Sequence, residues 1–161
     1  MTGEPVAFTV GGPPALAGQA EGDGPPIVLL HGLTATRRYV VHGSRVLPRR
    51  GFHAISYDAR GHGESEPAPA GHGYSYEELA ADLAAVIDAQ VGDRAFVLAG
   101  HSMGAHTLTA FALAQPERVA GLVVIGPVAL GDPAPQETLD YWDGLADGLE
   151  AGGVDLSLIH I

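Results

Sequence analysis

Val97–Ala110 reads "VLAGHSMGAHTLTA": an apolar run, then a serine at 102 with glycine two residues before it and two after, then a helical pattern. Ala95–Ala99 ("AFVLA") is of strand length, and the segment after Ser102 predicts a helix that ends by Pro116, since proline cannot continue the helical hydrogen bonding. A strand that turns sharply into a helix holds its corner residue in a strained conformation and brings the chains so close that only very small neighbours fit. Gly100 and Gly104 supply that room. Such a corner lifts the Ser102 hydroxyl over the carboxyl end of a sheet and sets the Met103 amide at a helix amino terminus, where partial positive charge stabilises an oxyanion. The plain alternative is a polar residue in a turn. With 23 glycines in the chain, G-x-S-x-G by itself decides nothing; the strand before it and the helix after it do.

Working outward, three more apolar runs are fenced by turn residues: Ile27–Leu30 ("IVLL"), His53–Tyr57 ("HAISY") and Leu122–Ile125 ("LVVI"). Between the second of these and "AFVLA" lies "SYEELAADLAAVIDAQ", where Ser75 and Glu78 have capping-box spacing and Leu79, Leu83, Val86 and Ile87 share one helical face. Strands alternating with helices predict an α/β fold around a mostly parallel sheet. Upstream, "AFTV" and "ALAGQAEG" predict an amino-terminal hairpin, joined through Gly11-Gly12-Pro13-Pro14; "GESEPAPAGHG" reads as a surface loop within the same domain.

Composition narrows function. The 161 residues carry a formal net charge of −11, which argues against nucleic acid and anionic membrane as partners. All eight basic residues are arginine, so a Walker A loop is excluded with its lysine. Without cysteine there is no disulfide framework and no thiolate nucleophile. "GHSMGA" fails the dinucleotide fingerprint because Ser102 stands where the second glycine is required, and His101 and His106, five apart, miss the i, i+4 spacing of a helical metal pair. "MTGEPVAFTVGG" is no signal peptide, and no run approaches the ~18 apolar residues of a membrane span, so a cytoplasmic location is expected.

"LLHGLTAT" puts His31-Gly32 directly after a strand, and "YDARGHGES" follows the next with Asp58, Arg60, Gly61, Gly63 and Ser65. Strand-His-Gly, D-x-R-G-x-G-x-S and G-H-S-M-G, in this order and spacing from about Val6 to Val128, resemble the α/β-hydrolase superfamily, of the small cofactor-free type with a helical cap. The resemblance implies a three-layer fold with helices on both faces of the sheet, and a serine hydrolase in which Ser102 attacks an acyl carbon, a histidine takes its proton and an acid orients the histidine. It implies Leu33 and Met103 as the oxyanion-hole amides, the Leu33 side chain being only packing, and a small-molecule acyl substrate, with no metal or organic cofactor. His31, Gly32 and His101 flank the site as candidate substrate contacts; neither histidine is the base, and the plainer reading of both is that they fill space and hydrogen-bond the loops. Asp58 and Arg60 are implied to be a structural ion pair with each other, and His62 and His72 to be solvated loop residues. Serine at the corner argues against the epoxide hydrolases and haloalkane dehalogenases of this fold, which use aspartate there. Ester, lactone, amide, carbon–carbon bond and acyl-transfer chemistry stay open, as does a non-catalytic ligand-binding module that kept the fold.

In that family the acid and histidine come later than this sequence extends. Residues 1–128 are expected to form the amino-terminal part of the core, and 129–155 the start of a cap, with Leu139, Trp142, Leu145, Ala146 and Leu149 on one helical face. Asp132 is a candidate for the less common acid position, a reading disfavoured because a helical cap normally goes with a later acid. Leu156–Ile161 ("LSLIHI") departs from the composition of the rest and resembles a translated sequencing adaptor, which makes residues 156–161 a non-native tail and His160 no general base. The expectation is therefore an incomplete hydrolase fold, inactive by itself.

Overall fold

The computed structural model describes residues 4–40, 43–127 and 135–152. Asp132, His160 and the adaptor-like tail lie outside the described residues. The chain divides into two compact units, Met1–Val128 and Ala129–Ile161.

The first unit is built on one six-stranded sheet. Its strands are β1 (Val6–Val10), β2 (Leu16–Glu21), β3 (Pro26–Leu30), β4 (His53–Tyr57), β5 (Phe96–His101) and β6 (Val119–Ile125). They lie in the order β1-β2-β4-β3-β5-β6. The hairpin pairs antiparallel and continues antiparallel onto β4, whereas β4, β3, β5 and β6 are mutually parallel. After β3 the chain moves to one side to form β4, then returns to the other side for β5. The carboxyl ends of β3 and β5 thus flank the point where strand order reverses, the place where open α/β sheets hold their ligands.

Alternation along the strands sorts the core onto two faces. Val28, Leu30, Ile55, Tyr57, Phe96 and Leu98 are buried in one cluster with Leu83, Val86 and Ile87 of α2 (Tyr76–Gln90) and Leu108 and Phe111 of α3 (Met103–Ala114). Leu29, Ala54 and Ser56 line the opposite face with Leu47 and Pro48 of α1 (Val46–Arg49), a one-turn helix that the sequence pattern did not reveal. The helices therefore lie on both faces, as the three layers require. Ser75 caps α2 by accepting the Glu78 amide at 3.3 Å. The last two strands are longer than their apolar runs: β5 continues to His101 and β6 begins at Val119.

In the second unit the described element is α4 (Gln136–Gly152), with Leu139, Tyr141 and Trp142 exposed and the Tyr141 and Trp142 rings edge to face at 5.3 Å. Among the described residues no helix is long and apolar enough to cross a membrane.

Candidate active site

Ser102 sits at the junction of β5 and α3 with φ 51° and ψ −115°, and is the one non-glycine with positive φ among the described residues. A side chain in this region costs on the order of 1–3 kcal/mol and persists only where the surroundings impose it. They do so here by close approach. A Cβ on Gly100 would stand 2.5 Å from the Gly104 carbonyl oxygen, and one on Gly104 would stand 2.6 Å from that of Leu30. The Ser102 amide is tied to Ile125 O at 3.0 Å, which holds the corner against the end of β6. The Ser102 side chain, half-buried, makes no capping hydrogen bond.

The loop after β3 reaches the same corner. A Cβ on Gly32 would lie 3.4 Å from Ser102 Cβ and 3.0 Å from His101 Nδ1, so the loop can approach only because that side chain is missing. His101 is exposed, its ring bordered by Gly32 on one side and Gly126 on the other. Met103, as first residue of α3, has an amide without an intrahelical acceptor. Among the described residues the Leu33 amide likewise has no backbone acceptor.

Four expectations are corrected by these surroundings. The Leu33 side chain is not packed away; it is 46% exposed. His31 is not a substrate contact but fills space and bonds the loops, the plainer of its two readings: it is 3% exposed beneath the loop, with Nε2 accepting from the Ala59 amide at 2.9 Å and Nδ1 placed 2.8 Å from Gly32 O. Because Nε2 accepts, the proton of this neutral ring is on Nδ1, which donates to Gly32 O. Burial lowers the pKa of His31, only partly offset by the bond to Gly32, and the nearby His62 pushes it further down. His62 is not merely solvated either: it is half-buried, 5.0 Å from the His31 ring, and engaged at both nitrogens by backbone carbonyls.

The fourth correction concerns Asp58 and Arg60, which do not pair with each other. Asp58, fully buried, takes the Arg37 amide at 2.7 Å, the Glu64 amide at 3.0 Å and the Arg37 guanidinium. Burial works against the charge of Arg37, but Glu64 and Asp58 outweigh it and hold its pKa above the ordinary value. Arg60 turns the other way and forks onto Asp82 of α2, with Nε at 2.7 Å and a terminal nitrogen at 2.9 Å. In the loop after β4 the two side chains take different directions, Asp58 to Arg37 of the loop after β3 and Arg60 to Asp82 of α2. The overlooked signal was Asp82 itself: an acid at a buried position of an apolar helix stripe requires a cation. His72, by contrast, is largely exposed and bonds Glu78 at 3.0 Å.

Chemically, the corner presents a hydroxyl beside two unengaged main-chain donors, at the sheet end where a small ligand would sit. Among the described residues no three histidine or carboxylate side chains gather as a metal would require.

Comparison with known proteins identifies the fold. Residues 25–152 match the family described as "alpha/beta hydrolase fold". Over 102 residues the chain is 35% identical to epoxide hydrolase B of Mycobacterium tuberculosis and 37% identical to the sn-1-specific diacylglycerol lipase ABHD11 of Mus musculus. Each alignment takes in 63% of this chain, but 28% of the first protein and 32% of the second, so the chain spans well under half the length of these curated relatives. Among solved structures, a thermophilic esterase from Thermogutta terrifontis superposes with TM-score 0.75 at 29% identity, over 94% of this chain and 55% of the esterase. With its relatives hydrolases and its sheet, corner and loops arranged as described, the chain belongs to the α/β hydrolase fold family.

Proposed function

We propose that this chain carries the nucleophile of a serine hydrolase that acts on a small carboxylic ester or related acyl compound through an acyl-enzyme. The single observation that carries the reading is Ser102 at φ 51°, with the Gly32 loop against its Cβ and the amides of Leu33 and Met103 unengaged beside it. Ser102 Oγ attacks the acyl carbon, the carbonyl electrons move onto oxygen, and the two amides hold that charge until the leaving group departs. A hydroxyl in place of a carboxylate at this corner favours acyl transfer over epoxide opening. The general base and its orienting acid are assigned to no described residue. His31 and His62 are unsuited to the role because both ring nitrogens of each are already engaged. His101 and Gly32 border the corner and are the proposed substrate contacts; the protein is proposed to be cytoplasmic and without affinity for nucleic acid or membrane.

The test uses the complete gene product with a fluorophosphonate probe, which phosphonylates an activated serine with loss of fluoride. Labelling is expected in the wild type and absent in Ser102→Ala. Labelling that persists in the variant removes Ser102 from its role, and a wild type that never labels favours a ligand-binding module on the same fold.

A further inference from the structure

His62 Nδ1 lies 2.9 Å from Arg60 O, and Nε2 lies 2.7 Å from Leu33 O. Carbonyl oxygens only accept, so the ring ties these loops by N–H donation, a protonated nitrogen donating to the carbonyl it faces. The neighbouring His31 ring, 5.0 Å away, accepts from the Ala59 amide at its Nε2.

We infer that His62 is a positioning residue for the Leu33 amide: set between the Arg60 and Leu33 carbonyls, it fastens the loop after β3 to the glycine-rich loop after β4. The inference rests on Leu33 being an oxyanion donor. The carbonyl before Leu33 is held as well, since Gly32 O accepts from His31 Nδ1 at 2.8 Å and from the Ala35 amide at 3.1 Å. Both peptide planes flanking Leu33 are therefore fixed. The Leu33 N–H shares its plane with the Gly32 carbonyl and points opposite to it, so anchoring that oxygen aims the amide.

Other charges around the ring are already matched. Arg37, from the loop after β3, takes Asp58 and Glu64, while Arg60 takes Asp82 and Glu78 of α2. Among the described residues no carboxylate pairs with His62, and the two carbonyls are its hydrogen-bonding partners.

Two measurements test this. In the 161-residue chain, hydrogen exchange at the Ala35 amide, corrected for intrinsic rate, should be protected in the wild type and in His62→Arg, which keeps several donors, and faster in His62→Leu, which has none. In the complete gene product, His62→Leu should slow fluorophosphonate labelling by about tenfold, less than the 10²–10³ lost with an oxyanion donor outright. His62→Arg should restore it. Exchange at the same rate in the wild type and His62→Leu, or a His62→Leu variant that labels at the wild-type rate, overturns the inference alone. Labelling that survives Ser102→Ala removes the hydrolase reading and the inference with it.

Discussion

At the scale of single residues, the site depends on groups held in states they would not adopt in water. Ser102 occupies positive φ because Gly100 and Gly104 let strand, helix and the end of β3 meet. Buried His31 stays neutral to receive the Ala59 amide, with its pKa below the ordinary 6.5. The consequence for stability has a definite sign. Below about pH 6.5 the unfolded chain takes up a proton that the native ring refuses, so stability is full above that value and falls as pH drops towards the lowered native one. His53, also lowered by burial and by Arg94, adds in the same direction. Urea midpoints should therefore fall between pH 7.5 and pH 5, and less steeply in His31→Asn, whose amide can still donate to Gly32 O but does not titrate. An identical pH slope in that variant would refute this account of His31. None of this was readable from "LLHGLTAT", which marks the histidine but not the side of the loop on which its ring is buried.

Elements are joined here by ions more than their sequences suggest. α2 packs through Leu79, Leu83, Val86 and Ile87, the face its periodicity predicts, but Asp82 is buried in the same stripe and locked to Arg60. Both side chains are under 10% exposed. Removing one partner of such a pair costs about 3–5 kcal/mol because the other is left charged and buried, whereas replacing both by apolar groups of similar volume is often close to neutral. Glu78, 3.5 Å from Arg60, compensates in part, so Asp82→Ala is expected near the lower end of that range. Denaturant midpoints should place the double variant Arg60→Met, Asp82→Leu above Asp82→Ala; a double variant less stable than the single would show that the pair contributes net stability. The sequence singled out Arg60 but overlooked Asp82 and gave Arg60 the wrong partner, since pairing depends on which way each side chain leaves the loop after β4.

For the first unit as a whole, the sheet ends in two edge strands, β1 and β6. β6 exposes Leu122, Val123, Val124 and Ile125 to 43, 47, 44 and 52%. Successive strand residues point to opposite faces, so exposure of all four leaves apolar surface on both faces of this edge. An apolar edge strand with free backbone groups recruits further chains. The 161-residue chain should therefore associate with increasing concentration in light scattering, and Val124→Lys should reduce this; a monodisperse monomer at about 100 μM, where exposed edges commonly aggregate, would contradict it. What the sequence alone determined was local: apolar runs of strand length, a capped amphipathic helix, and a glycine-flanked serine between strand and helix, each fixed by periodicity and backbone stereochemistry over a few neighbouring residues. Tertiary structure alone decided that the ends of β3 and β5 lie side by side, that Asp58 meets Arg37 and Arg60 meets Asp82, and that His62 reaches Leu33. Those contacts join residues tens of positions apart, and their partners are selected by strand order and side-chain direction, which no short stretch of sequence encodes.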